Sequence, residues 1–186
     1  MKRFTALLLL VILLTGCAGG HTAMNRAVTL RDKLLKGNGC SFTATVTADY
    51  GDKTYTFKML STVDSAGELT FEVIEPDSIS GITGKITDSA GQLTFDDQVL
   101  MFEMLADGQI TPVCAPWLLI HTLRSGYISA CGKDGDGIHI QIDDSFRGEP
   151  LQADIWINEE DIPVRGEFLW KGKRIVSIDV VEFLIV

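Results

Sequence analysis

Cys17 stands at the end of an apolar run, directly after Leu14-Thr15-Gly16. Its thiol, when ionised, is a nucleophile. Three further cysteines follow, Cys40, Cys114 and Cys131. In an oxidising compartment one disulfide and one spare thiol are expected. Cys114–Cys131 is the shortest closure and is worth ~3 kcal/mol by loop entropy. Three buried thiols acting as small apolar side chains are the equal alternative. The histidines, His21, His121 and His139, lack a second ligand at metal spacing, so no metal site is expected. Asp134-Gly135-Asp136-Gly137 resembles a fragment of a calcium loop without its later glutamate, and a hairpin turn explains it better. Asp96-Asp97 and Asp143-Asp144 read as turn ends. No nucleophile elbow or Ser-His-Asp set is present, and the expectation is a protein that is not an enzyme.

The N-terminus supplies the context for Cys17. Lys2 and Arg3 precede an apolar stretch from Phe4 to Leu14. A positive start, a short apolar core and small residues before a cut describe a secretory signal peptide. As a helix the stretch reaches ~17 Å, short of the ~30 Å hydrocarbon core of a bilayer. Leu-Thr-Gly-Cys resembles the bacterial lipobox, in which the cysteine receives a diacylglyceryl group before cleavage. The expected organisation is a signal peptide over 1–16, a lipidated cysteine and tether over 17–23, and one domain over 24–186. An ordinary signal peptide with a chance cysteine is the alternative. Several acyl chains, palmitate among them, would give a stable anchor at ~0.8 kcal/mol per buried CH₂.

The chain of 186 residues has 16 basic and 25 acidic side chains, for a net charge of −9. Cleavage removes Lys2 and Arg3 and no acid, which makes the mature charge −11. Such a surface disfavours nucleic acid and adhesion to anionic headgroups. Membrane attachment then falls to the anchor.

Elements follow from periodicity. Met24 to Lys36 reads as a helix with Val28, Leu30, Leu34 and Leu35 apolar, Arg26 and Arg31 on the wetter face, and Gly37 and Gly39 stopping it. Phe42, Ala44, Val46 and Ala48 alternate with threonines, as a half-buried strand does. Tyr55, Phe57 and Met59 continue the alternation, then Leu69, Phe71 and Val73. Pro76 to Gly81 breaks the run. Short strands follow at Ile82–Thr87 and Gln92–Phe95. Val99 to Leu105 is apolar on both faces, so it is expected to be covered on both sides or to face a ligand. Ala115 to Arg124 begins with Pro116 and is nearly all apolar, a helix that wants burial on every side. Strands resume at Tyr127–Ala130, around Ile138–Ile142 and Leu151–Ile157, then at Val164–Trp170 and Ile175–Val186. Two helices against nine to eleven antiparallel strands make an α+β domain.

This order resembles the lipoprotein-carrier fold of LolA and LolB over roughly residues 23–186. The quoted motifs are Phe71-Glu72-Val73-Ile74-Glu75-Pro76 running into Ile79-Ser80-Gly81, and the Pro116-Trp117-Leu118-Leu119 helix. The resemblance implies a curved, incomplete antiparallel barrel with an N-terminal helix and a second, apolar helix covering its concave face. It also implies an extracytoplasmic lipoprotein; one such protein in spore-forming Gram-positive bacteria serves germination. The arginine that holds acyl chains in the enteric carriers, and the receptor's exposed loop leucine, have no assigned match here. Ile79 lies in a turn where an exposed apolar residue would fit.

A half-open barrel must be filled by its own side chains or by a ligand. Phe57, Met59, Phe71, Met101, Met104, Trp117 and Leu118 are the candidate lining. The implied activity is binding of a lipid or other apolar ligand. The alternative is a self-filled barrel acting as an interaction or chaperone-like envelope protein. No cofactor is expected. Ala18 after Cys17 points to the outer membrane of a two-membrane cell, or to the outer face of the plasma membrane where there is only one.

Overall fold

The computed structural model describes residues 18–88, 90–106, 109–146 and 148–186; the expected signal peptide and Cys17 lie outside them. Helix α1 spans Ala18–Lys36. Strands β1 (Gly39–Asp49), β2 (Thr54–Asp64), β3 (Leu69–Glu75), β4 (Thr83–Ile86), β5 (Gly91–Phe95) and β6 (Gln98–Phe102) form one meander. A two-stranded ribbon, β7 (Leu105–Ala106) and β8 (Gln109–Ile110), and helix α2 (Ala115–Ser125) come next. The second meander is β9 (Tyr127–Asp134), β10 (Gly137–Phe146), β11 (Glu149–Ile157), β12 (Pro163–Trp170) and β13 (Lys173–Ile185). β1 pairs with β13, so the meanders join into one eleven-stranded antiparallel sheet, open at β6 and β9.

Alternation selects the buried face. Phe42, Ala44, Val46 and Ala48 of β1 point inward, as do Ile138, Ile140 and Ile142 of β10 and Leu151, Ala153, Ile155 and Ile157 of β11. Register breaks bend the sheet, as bulges do. In β13, Glu182 adopts φ 55° where the pairing with β1 slips between Ser41 and Thr43. The extra residue turns Phe183 inward to stack on Phe42, ring centroids 5.3 Å apart.

Helix α1 differs from expectation in three ways. It begins at Ala18, so the expected tether is helical. Its buried stripe is Ala23, Ala27, Leu30 and Leu34, at the 3.6-residue period, whereas Val28 and Leu35 are exposed. Its arginines are not on a wet face. Arg26 Nε donates to Asp161 Oδ1 at 2.7 Å, and its Nη2 donates to the Asn158 carbonyl at 2.6 Å. Arg31 Nε and Nη2 donate to the carbonyls of Leu123 and Gly126, at 2.6 and 2.7 Å. Those carbonyls are at the C-terminal end of α2, where intrahelical partners run out and the dipole is negative. Arg31 thus ties the two helices together. Arg31→Met is expected to cost about 2 kcal/mol, the usual worth of charge-assisted bonds to partly buried acceptors. Urea unfolding measures it.

Helix α2 runs as expected from Ala115, and Gly126 ends it. Trp117, Leu118, Leu119, Ile120, Thr122 and Leu123 are all buried. The Thr122 hydroxyl donates to the Leu118 carbonyl at 2.8 Å, which satisfies the buried polar group. The helix packs chiefly on β2, β10, β11, β13 and α1. Among the described residues, no helix is long and apolar enough to cross a membrane.

Candidate functional site

Six of the seven candidate lining residues meet in one core. Phe57, Met59, Phe71, Met104, Trp117 and Leu118 are all buried in the same apolar cluster. The space between the concave face and α2 is filled by the protein's own side chains. Met101 departs from the expectation: it is 62% exposed on β6 and lines nothing. Ile79 also departs, because it is half-buried against the core and not displayed on its turn.

α2 is bolted down at both ends. Trp117 Nε1 donates to the Gly67 carbonyl at 3.1 Å, and Arg124 Nη2 donates to the Ser65 carbonyl at 2.8 Å. Both acceptors lie in the β2–β3 turn, and Arg31 holds the other side. His121 stacks on Trp117 at 4.3 Å between centroids. Its Nε2 lies 3.7 Å from Asp144 Oδ2. Asp143 and Asp144 are therefore not at a turn, as expected, but inside β10. His139 is far along the outer face, within 2.8 Å of Asp154 and stacked on Trp156. Asp134 to Gly137 forms the β9–β10 turn, where Asp134 Oδ2 accepts the Trp156 indole N–H at 2.8 Å.

The three cysteines outside the N-terminal segment are free thiols, so the disulfide considered between Cys114 and Cys131 is absent. Burial pushes the Cys40 and Cys114 thiols up to about 12, with Arg124 pulling Cys40 back slightly. Their folded pKa values lie above the ordinary 9.0. The stability these thiols contribute is therefore complete below pH 9 and is lost as pH rises from about 9 to about 12. Each thiol should remove ~1.4 kcal/mol per pH unit in that window. Urea unfolding at pH 8 and pH 10 should show this loss in the parent and not in the Cys40→Ala/Cys114→Ala variant.

An uncovered apolar surface lies at the β6 end of the sheet. Pairing of Ile86 with Gly91, of Gly84 with Leu93, and of Leu93 with Leu100 places Leu93, Phe95 and Leu100 on the concave side. The far ends of the Phe71 and Phe102 rings lie over Gly84 and Gly91, where an added Cβ would come within 2.5 and 2.2 Å of ring carbons. Those glycines let the rings close the core's edge. Beyond them, among the described residues, the concave face is more open. Leu93 is half-buried, and Phe95 and Leu100 are exposed, Leu100 by 59%. The sequence does show the two-faced apolar stretch from Val99. It does not show that this strand ends the sheet and stays uncovered.

No protein-family model matches the chain, and no curated protein does. Solved structures do. A domain described as that of an outer membrane lipoprotein-sorting protein, from Vibrio parahaemolyticus, aligns over 89% of this chain and 92% of its own. Its TM-score is 0.51 and its identity 9%. A DUF1329 family protein from Desulfovibrio piger aligns over 90% and 93%, with TM-score 0.50 and 9% identity. A LolA superfamily protein from Nitrosomonas europaea aligns over 88% and 93%, with TM-score 0.46 and 9% identity. The chain thus shares the fold of the Vibrio domain, an unclosed curved antiparallel sheet with two helices.

Proposed function

We propose that this protein is a membrane-anchored, extracytoplasmic lipoprotein that binds an apolar ligand without catalysis, at the unroofed end of its half-barrel. The observation that carries the reading is the concave ledge of Leu93, Phe95 and Leu100, which continues the core face toward the β6 edge and is left partly open. Soluble proteins leave contiguous apolar surface open where something binds it. The lipobox at Cys17 and the shared fold with a lipoprotein-sorting domain support the anchored, lipid-facing role. A fluorescent fatty acid titrated into the full chain tests the ledge. Leu100→Asp should weaken binding about tenfold, since full burial of a leucine is worth ~1.5–3 kcal/mol. Unchanged binding by this variant, with unchanged circular dichroism, would rule the ledge out.

The filled interior favours a second reading, in which the barrel serves as an interaction platform for an envelope protein. A stable protein partner with no lipid bound supports that alternative.

A further inference from the structure

Strand β6 is an edge of the sheet, and among the described residues one side of it has no neighbouring strand. An edge strand is a template for a further strand, and native proteins blunt it with charges, proline, a bulge or a cover. β6 has none of these within Val99-Leu100-Met101, which are 58%, 59% and 62% exposed. Val99 and Met101 point to the outer face, opposite Thr94 and Gln92, and Leu100 points to the concave face. The strand is thus apolar and exposed on both faces. Acids bracket it: Asp96 and Asp97 at one end, both in the left-handed region at φ 47° and 61°, and Glu103 at the other.

We propose that β6 docks an extended segment of another protein as a seventh strand of the first meander, with apolar residues at its centre and basic residues at both ends. Charge chooses the occupant. A second copy pairing antiparallel about Leu100 would set Asp97 of each chain opposite Glu103 of the other, and like charges directly opposed weaken strand pairing. A membrane is disfavoured because the tip of the hairpin is Asp96-Asp97, so inserting Val99 to Met101 would carry two carboxylates toward the lipid. Basic flanks on an incoming strand meet both acidic ends, and main-chain bonds supply the rest, as in other cases of strand addition. This docking uses the backbone edge and the outer face, and it stands whether or not the concave ledge binds an apolar ligand.

Hydrogen exchange on the full-length protein in nanodiscs of phosphatidylcholine and phosphatidylglycerol tests it. The probes are two ten-residue peptides with the same alternating valine–threonine core, one flanked by lysines and one by glutamates. The lysine-flanked peptide should slow exchange over residues 98–102 at least tenfold, and the glutamate-flanked peptide should not. Val99→Lys/Met101→Lys should lose that protection while Leu100→Asp loses only fatty-acid binding. No protection by either peptide would overturn the proposal, as would equal protection by both. Protection that rises with the protein's own concentration would assign the edge to a second copy, and protection in nanodiscs before peptide is added would assign it to the membrane; either result overturns it.

Discussion

Replacing Cys17 with serine, behind a signal peptide cleaved by the general secretory route, is expected to release the protein from membranes almost completely. Among the described residues, no helix is long and apolar enough to cross a membrane. The net charge is −9, which repels anionic headgroups. α1 puts Ala23, Ala27, Leu30 and Leu34 into the core and keeps none of them for a bilayer. Two or three acyl chains at ~0.8 kcal/mol per buried CH₂ make an anchor that one chain does not. Pelleting after a high-salt wash, with labelled palmitate to report acylation, measures the effect. Processed Cys17→Ser protein that still pelleted would contradict the assignment. The helix from Ala18 shortens the leash: six helical residues span ~9 Å, against ~20 Å if extended.

Leu119→Ala is expected to cost ~2–5 kcal/mol, the range for a fully buried leucine whose surroundings relax only in part. Leu119 is completely buried in the middle of α2. Its Cδ1 lies 3.4 Å from where a Cβ on Gly166 would stand, so β12 approaches the helix closely because that residue is a glycine. With α2 tied at Gly67, Ser65 and Arg31, the helix has little freedom to sink into the void. For a domain of this size the melting temperature should fall by roughly 2–4 °C per kcal/mol. Leu100→Ala, on the exposed hairpin, should stay within ~0.5 kcal/mol of the parent. A Leu119→Ala cost below 1 kcal/mol would mean that the interior is looser than its packing indicates.

Much of this architecture is legible from residue order. The threonines alternating with Phe42, Ala44 and Val46 place β1 half-buried, and the unbroken apolarity of 117–120 places α2 inside. Local pattern does not report what a face meets. Val28 and Leu35 are apolar yet exposed, while Ala23 and Ala27 carry the buried stripe, because close approach of α1 selects small residues. Arg26 and Arg31 look like surface charges, but their partners lie 135 and 92 positions away. The same blindness affected the candidate site. The run from Val99 to Leu105 is legible as apolar on both faces, which implies a strand covered on both sides or one that faces a ligand. Whether a strand is central or at an edge depends on pairing order, which no window of sequence contains. Met101 is on the outer face for that reason, and no local pattern sets Leu93, Phe95 and Leu100 apart as one concave ledge.

The central claim is that apolar ligand sits on the unroofed ledge and not beneath α2. Paramagnetic relaxation by a spin-labelled stearate, read on the methyl groups of the protein, tests this directly. Attenuation is expected at Leu93 and Leu100, with Leu119, Ile120 and Ile140 untouched. Attenuation centred on Leu119, Ile120 and Ile140, or none at all, would contradict it.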